Sequence, residues 1–303
     1  HCKMEELLES KDLGACVTMH YNFPIGVSTV GKVMTPGKGK EMLLATTTGT
    51  SATNRSEAMV KNALHGIIVA KAIGIEKPSV GILNLDGARQ VERALKTLDS
   101  NGYEISFSES MRSDGGAVMR GNDLLCGTAD VMVTDTLTGN IMMKTFSSFT
   151  TGGSYESVGY GYGPGIGRGY DRTILILSRA SGVPVVANAL SYAKDLVKGD
   201  LVNKCKVEFE KAMKAGLNEI LESFKENRMV ESNQAVTMPE KETVTGQISG
   251  IDIMDLDEAV ETLWKEGIYA ESGMGCTGPI VMVNEIRIKD ALEVLAKAEF
   301  ISD

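Results

Sequence analysis

The sequence has no apolar run close to the roughly 18 residues that a bilayer-spanning helix requires. It has no C-x-x-C pair. Its 5 cysteines, at positions 2, 16, 126, 205 and 276, are scattered and odd in number. Together with the lack of a signal-peptide pattern, that points to a reducing compartment, the cytoplasm. Histidine is scarce. The 3 residues at 1, 20 and 65 show no ligand spacing with one another or with a cysteine, so no metal site is expected. Basic charge is short as well. Lys and Arg number 31 against 40 Asp and Glu, a net charge of −9, which argues against nucleic acid and anionic membrane surfaces as partners. A local field can still hold an anionic substrate. What remains is ordinary globular composition, 43% hydrophobic and 23% charged over 303 residues, enough for one large or two medium domains. The start at His1, with Met4 as the first methionine, reads as that of a fragment.

Apolar strand-length runs alternate with helical patterns. Val17–Met19, Met42–Thr46, Val80–Leu85, Tyr103–Glu109, Asp130–Thr134 and Ile174–Leu177 read as strands. Helices are expected over Ser56–Ile73, Ala88–Ser100, Asn140–Phe149, from Pro184 to Val197, and from Asp200 to about Asn227. Strands separated by helices imply βαβ units and an α/β fold with a mainly parallel sheet covered on both faces. The polar stretch 231–250 reads as a linker and hinge holding one edge strand. Beyond it the pattern predicts a small α+β tail: the acidic helix Leu256–Glu266, strands Ile268–Glu271 and Ile280–Val283, and a helix over Ile286–Ala298. The expected division is a core over 1–235 and a tail over 236–303.

Five segments attract chemical interest. Gly26–Val33 fits GxxxxGK, but Val33 stands where a P-loop needs Ser or Thr for Mg²⁺, which leaves a glycine turn with an exposed Lys32. The segment Thr46–Asn54 crowds hydroxyls and an amide at a helix start, where free N–H groups and the dipole favour an anion; Thr48, Thr50, Ser51 and Asn54 are candidate ligands. Asp135, Thr138, Asn140 and Lys144 follow a buried strand and would face the crevice where open α/β sheets bind ligands. The stretch 151–170 is rich in glycine and tyrosine; its glycine spacing does not satisfy GxGxxG, and it reads as a mobile lid or a phosphate nest in which Gly153, Ser154 and Arg168 supply donors. Last, Gly275-Cys276-Thr277-Gly278 places a thiol among glycines at the mouth of an apolar strand. Such a cysteine suits nucleophilic attack and acyl transfer, and it suits a tight turn equally well.

The run Ala129–Thr145 resembles the signature of the phosphate acyltransferases of phospholipid synthesis, with Thr136 where that family usually shows glycine. Those enzymes make acyl phosphate from an acyl thioester and inorganic phosphate, and share a fold with phosphate acetyltransferases and isopropylmalate dehydrogenases. Over its whole length, and most clearly at Cys16–Pro24, Thr46–Ala58, Tyr160–Gly169 and Ser272–Pro279, the chain resembles the alpha subunits of component C of glycine, sarcosine and betaine reductases. Members of that family begin with a further α/β unit. The resemblance implies that Cys276 receives an acetyl group derived from a selenocysteine-bound carboxymethyl group. Inorganic phosphate would then release acetyl phosphate. It implies Gly275, Thr277 and Gly278 as the oxyanion loop. The loop reading then offers that chemistry a phosphate site at Thr48, Thr50, Ser51, Asn54, Asn140, Lys144, Gly153 and Ser154. Its partners would be a component C beta subunit and the carrier selenoprotein A. No cofactor is implied beyond phosphate as substrate, and homo-oligomerisation is left open. Cys16, Cys126 and Cys205 are candidates for the accompanying redox step, with Cys205 reading as core on a helix face. Two other readings stay open: a coenzyme A-dependent phosphate acyltransferase, and a non-catalytic docking subunit.

Overall fold

The computed structural model of the chain describes residues 1–112, 115–224, 238–251, 255–275, 278–298 and 300–301. The chain divides into two compact units, His1–Lys225 and Glu226–Asp303.

The first unit is built on a 9-stranded sheet. Its strands are β1 (Cys16–Thr18), β2 (Ser28–Met34), β3 (Glu41–Gly49), β4 (Ser79–Leu83), β5 (Ser106–Phe107), β6 (Val118–Met119), β7 (Val131–Val133), β8 (Gly163–Ile166) and β9 (Ile174–Ile176). Their order is β1-β9-β8-β2-β3-β7-β4-β5, with β6 also paired to β4. The strands β3, β7, β4, β5 and β6 run parallel, and β1 runs parallel to β9. The pairs β2–β3, β2–β8 and β8–β9 are antiparallel.

Alternation within the strands explains the layers. Leu43 and Ala45 join one apolar cluster, while their neighbours Met42 and Leu44 join another. A strand apolar on both faces needs cover on both. The first cluster is closed by α2 (Arg55–Ala72), α3 (Ala88–Ser100), α6 (Val183–Lys198) and α7 (Leu201–Lys214), through side chains such as Met59, Leu95, Tyr192 and Phe209. The second is closed by α4 (Gly121–Cys126) and α5 (Thr136–Ser148), through Leu124, Met143 and Phe146. A short helix, α1 (Cys2–Glu9), precedes β1.

Several elements depart from the sequence reading. The GxxxxGK segment forms strand β2, not a turn. Its Lys32 is 12% exposed and lies 2.8 Å from Glu41 and 4.1 Å from the Tyr160 ring centre. Part of the expected lid or nest is sheet interior: residues 161–167 are buried and β8 lies within them, whereas 152–155 and 168–169 are exposed. Glycine is required there by close backbone approach, because a Cβ on Gly163 would sit 1.7 Å from the Val30 carbonyl oxygen. Only Ser106–Phe107 of the Tyr103–Glu109 run pairs as a strand. The long helix expected from Asp200 stops at Lys214; Gly216, at φ +89°, breaks it before a further helical segment over 217–224. Residues 231–237 of the expected hinge over 231–250 lie outside the described residues, and its remainder holds β10 (Gly246–Ser249).

The second unit is an antiparallel sheet of β10 (Gly246–Ser249), β12 (Gly278–Val283) and β11 (Ala270–Gly275), in that order. Helices α8 (Leu256–Lys265) and α9 (Ile288–Lys297) join its core of Ile248, Leu263, Val281, Val283 and Leu295. The Trp264 indole N–H donates to the Ala270 carbonyl at 2.9 Å. The strand β11 runs further than the sequence suggests. Gly275 and Gly278 are therefore paired strand positions, not loop residues.

Gly163→Ala is expected to lower unfolding stability by about 2–4 kcal/mol, from overpacking plus an unfavourable positive φ. Gly102, at φ +101° with open space around it, separates the two effects; Gly102→Ala is expected to cost about 1 kcal/mol. Urea titration of both variants checks this. Equal losses would remove the close-approach argument.

Candidate active site

The parallel strands β3, β7 and β4 end at one edge of the sheet, and α2 and α5 start there. Each helix start is capped by its own sequence. Asn54 Oδ1 accepts the Glu57 N–H at 2.9 Å, and Asp135 Oδ1 accepts the Thr138 N–H at 2.7 Å. The N–H groups ahead of these, on Arg55 and Ser56 and on Thr136 and Leu137, have no acceptor within their helices. Two positive helix ends thus meet at one crevice.

The crevice walls are tied together below. Asn62, fully buried on α2, donates from Nδ2 to the Thr134 carbonyl at 2.9 Å; its Oδ1 accepts from Ser51 Oγ at 2.7 Å and Ser28 Oγ at 3.2 Å. One amide therefore fixes the end of β7, the start of β2 and the loop after β3. Helix α5 is pinned the same way. Asn140 Nδ2 donates to the Thr47 carbonyl at 2.9 Å, and Thr136 Oγ1 to the Gly49 carbonyl at 3.0 Å. Gly139 permits this, because a Cβ there would lie 1.7 Å from the Thr46 oxygen.

Above the pins lies a row of hydroxyls. Thr29 Oγ1 is 2.8 Å from Thr47 Oγ1 and 3.0 Å from Thr48 Oγ1, and accepts the Thr48 N–H at 3.0 Å. Thr48, Gly49 and Thr50 line a cavity of about 490 Å3, closed on the other side by residues 19–25 and Ile176. Of the sequence candidates, the structure brings together Thr48, Thr50, Asn54, Asp135, Thr138 and Asn140. Lys144 stands one helical turn beyond Asn140, exposed, with its ammonium 5.5 Å from the Tyr162 ring centre. Ser51 turns inward to Asn62 and Ala58, a structural position.

Others lie elsewhere. Gly153 and Ser154 follow the far end of α5, and about 12 Å of helix separates Asn140 from Ser148 at the usual rise. Their N–H groups bond Ser148 and Thr151, and Gly152 N–H bonds Phe149, so this turn caps a helix end. Arg168 is exposed on a different cavity. Cys16 lies on β1, four strand intervals from β3, about 19 Å at normal spacing. Burial raises its thiol pKa. Cys205 is buried, and burial pushes its thiol up to about 11. Cys276 and Thr277 lie outside the described residues, between the ends of β11 and β12.

Sequence reasoning missed Arg55, whose guanidinium bridges Asp86 at 3.1 Å and Asp135 at 3.5 Å across the crevice. Its position as the first residue of a helix after a hydroxyl-rich loop was the available signal. Asn62 and His65 were missed because a polar residue inside an apolar helix stripe announces burial and no partner. His65 is 1% exposed, with Nδ1 2.8 Å from Ser28 Oγ.

The profile of the fatty acid synthesis protein family matches residues 1–282. The chain belongs to that family. It is 66% identical over 303 residues to the glycine/sarcosine/betaine reductase complex component C subunit alpha of Peptoclostridium acidaminophilum, covering the whole chain and 79% of that protein. Local likeness extends to phosphate acyltransferases. The one from Paramagnetospirillum magneticum is 36% identical over 114 residues, 36% of this chain and 30% of that one. The one from Fervidobacterium nodosum is 29% identical over 149 residues, 47% and 42% of the two chains. No helix among the described residues is long and apolar enough to cross a membrane.

Burial, reinforced by the nearby Lys61 charge, pushes the His65 pKa down from 6.5 to about 3. The folded state therefore keeps His65 neutral while the unfolded chain takes up a proton below about 6.5. Stability from this group is complete above that pH and is lost as pH falls toward 3, by about 1.4 kcal/mol per unit. Denaturation of the parent and of His65→Gln between pH 6.5 and about 4.5 should show the steeper decline in the parent. Parallel profiles would mean that His65 is charged in the fold.

Proposed function

We propose that the chain is the acyl-carrying subunit of a glycine-reductase-type complex, forming acetyl phosphate from an acetyl thioester and inorganic phosphate. The observation that carries this reading is 66% identity along the whole chain to a component C subunit alpha. The crevice supports it. Two helix N-termini and the Thr48 and Thr50 hydroxyls offer donors to a phosphate, and Arg55, held between Asp86 and Asp135, would exchange a carboxylate for it. One Asn140 N–H is committed to Thr47, which leaves the second as a donor.

In this reading Cys276 carries the acetyl group. A phosphate oxygen attacks the thioester carbonyl, the C–S bond breaks, and the thiolate leaves as acetyl phosphate forms. The strand-end N–H groups around Gly275 and Gly278 would steady the oxyanion. The acetyl group itself derives from a carboxymethyl group on the selenocysteine of a carrier protein. A second thiolate attacks the selenium, the Se–C bond breaks and the carbon takes a proton. Thiol and selenol end as a selenenyl sulfide, and the carboxyl oxygen leaves as water when the Cys276 thioester forms. The phosphate site drops Gly153 and Ser154, which sit past the far end of α5, and gains Arg55. The component C beta subunit and the carrier selenoprotein are the partners this reading requires.

A second reading, a coenzyme A-dependent phosphate acyltransferase, is favoured by the likeness of part of the chain to phosphate acyltransferases. Incubation with acetyl phosphate followed by peptide mass analysis distinguishes them. A 42-dalton acetyl adduct, the size set by replacing a thiol hydrogen with acetyl (~42 Da), is expected on Cys276 and absent in Cys276→Ser. The same substitution is expected to reduce acetyl phosphate turnover by about 10³-fold or more, as for loss of other covalent nucleophiles. Turnover with acetyl coenzyme A that survives Cys276→Ser would establish the second reading.

A further inference from the structure

A second cavity, of about 330 Å3, opens in the first unit on the α2 and α7 side, separated from the crevice cavity by Pro24 and Ile25, which line both. Its size is that of a small-molecule site. Phe209, Met213, Leu217 and Leu221 form an apolar floor. His65 marks the inner end, because it is buried, whereas Arg168 and Glu222 are exposed and mark the mouth.

The inner end has a definite hydrogen-bonding character. Ser28 Oγ has one proton and two close neighbours, His65 Nδ1 at 2.8 Å and Asn62 Oδ1 at 3.2 Å. Both contacts are satisfied only if Nδ1–H donates to Ser28 and Ser28 donates to Asn62. Nε2 is then an unprotonated acceptor, and among the described residues no donor reaches it. The mouth has a definite charge. Lys61 is paired with Glu57 at 2.7 Å. Arg168 and Glu222 form no ion pair among the described residues and offer one charge of each sign.

A ligand matching these features carries a donor at one end, an apolar body, and both charges at the other. We propose that this cavity binds an aromatic α-amino acid with a donor on its ring system, tryptophan or tyrosine. The ring donor meets His65 Nε2, the ring packs on Phe209 and Leu221, the carboxylate meets Arg168, and the ammonium meets Glu222. The proposed contacts use none of the phosphate donors of the crevice, although His65 joins the crevice anchor Asn62 through Ser28 and Ser51 lines the cavity.

Calorimetric titration of the full chain tests it. L-Tryptophan should bind, and L-phenylalanine, which has no ring donor, should bind at least tenfold more weakly. Arg168→Gln should weaken tryptophan by tenfold or more. Glu222→Gln should weaken tryptophan but leave indole-3-propionate, which lacks the ammonium, unaffected. Met213→Trp, which fills the floor, should abolish binding in a protein that still unfolds cooperatively. No heat with tryptophan, equal affinity for phenylalanine, or unchanged binding in Arg168→Gln would overturn the assignment.

Discussion

The crevice depends on the buried amide of Asn62. Three chain segments that are remote in sequence, the start of β2, the loop after β3 and the end of β7, converge on its three hydrogen bonds. Removing the amide would take this partner from the Thr134 carbonyl, at roughly 1–3 kcal/mol, and would leave Ser28 with His65 alone and Ser51 with the Ala58 carbonyl alone. The helix starts that face the crevice are aimed by this anchor and by Asn140 on the opposite side of the sheet. A site built to hold a phosphate needs such fixed donors, because charge stabilisation is effective only where dipoles are already oriented.

Glycine has the same purpose by different means. At Gly139 and Gly163 the backbone approaches a neighbouring carbonyl closer than any Cβ would allow. The first lets α5 lie flat on β3, and the second lets β8 join β2. Within the long Gly/Tyr stretch the buried glycines, Gly161 to Gly167, mark tight packing, while Gly152, Gly153 and Gly169 stand in open space.

That distinction explains what was legible in the sequence. The parallel strands β3, β4 and β7 are continuous apolar runs, and the helices α2, α3 and α6 carry clear apolar stripes, so the α/β plan was readable. The insertion of β2 and β8 was harder, although β9 was readable at Ile174–Leu177. The strand β2 contains Gly31 and Lys32, and β8 contains two glycines and a proline, compositions that normally signal turns. Their pairing comes from tertiary fit that no local window contains. Within the crevice, Thr48, Asp135, Thr138 and Asn140 could be named because they follow strand ends. Arg55 and Asn62 could not, because their roles depend on partners 31 to 80 residues away, Asp86 and Asp135 for the first and Thr134 for the second. Gly153 and Ser154 looked like anion ligands because a Gly-Gly-Ser turn serves equally well as a nest or a helix cap.

The central claim is that phosphate sits where α2 and α5 begin. A crystal structure of the chain grown with inorganic phosphate addresses it directly. The account predicts an ion within about 3 Å of a Thr48 or Thr50 hydroxyl and of an N–H group in the first turn of α5. Phosphate bound only at the Gly152–Ser154 turn, or only beside Arg168, would contradict it.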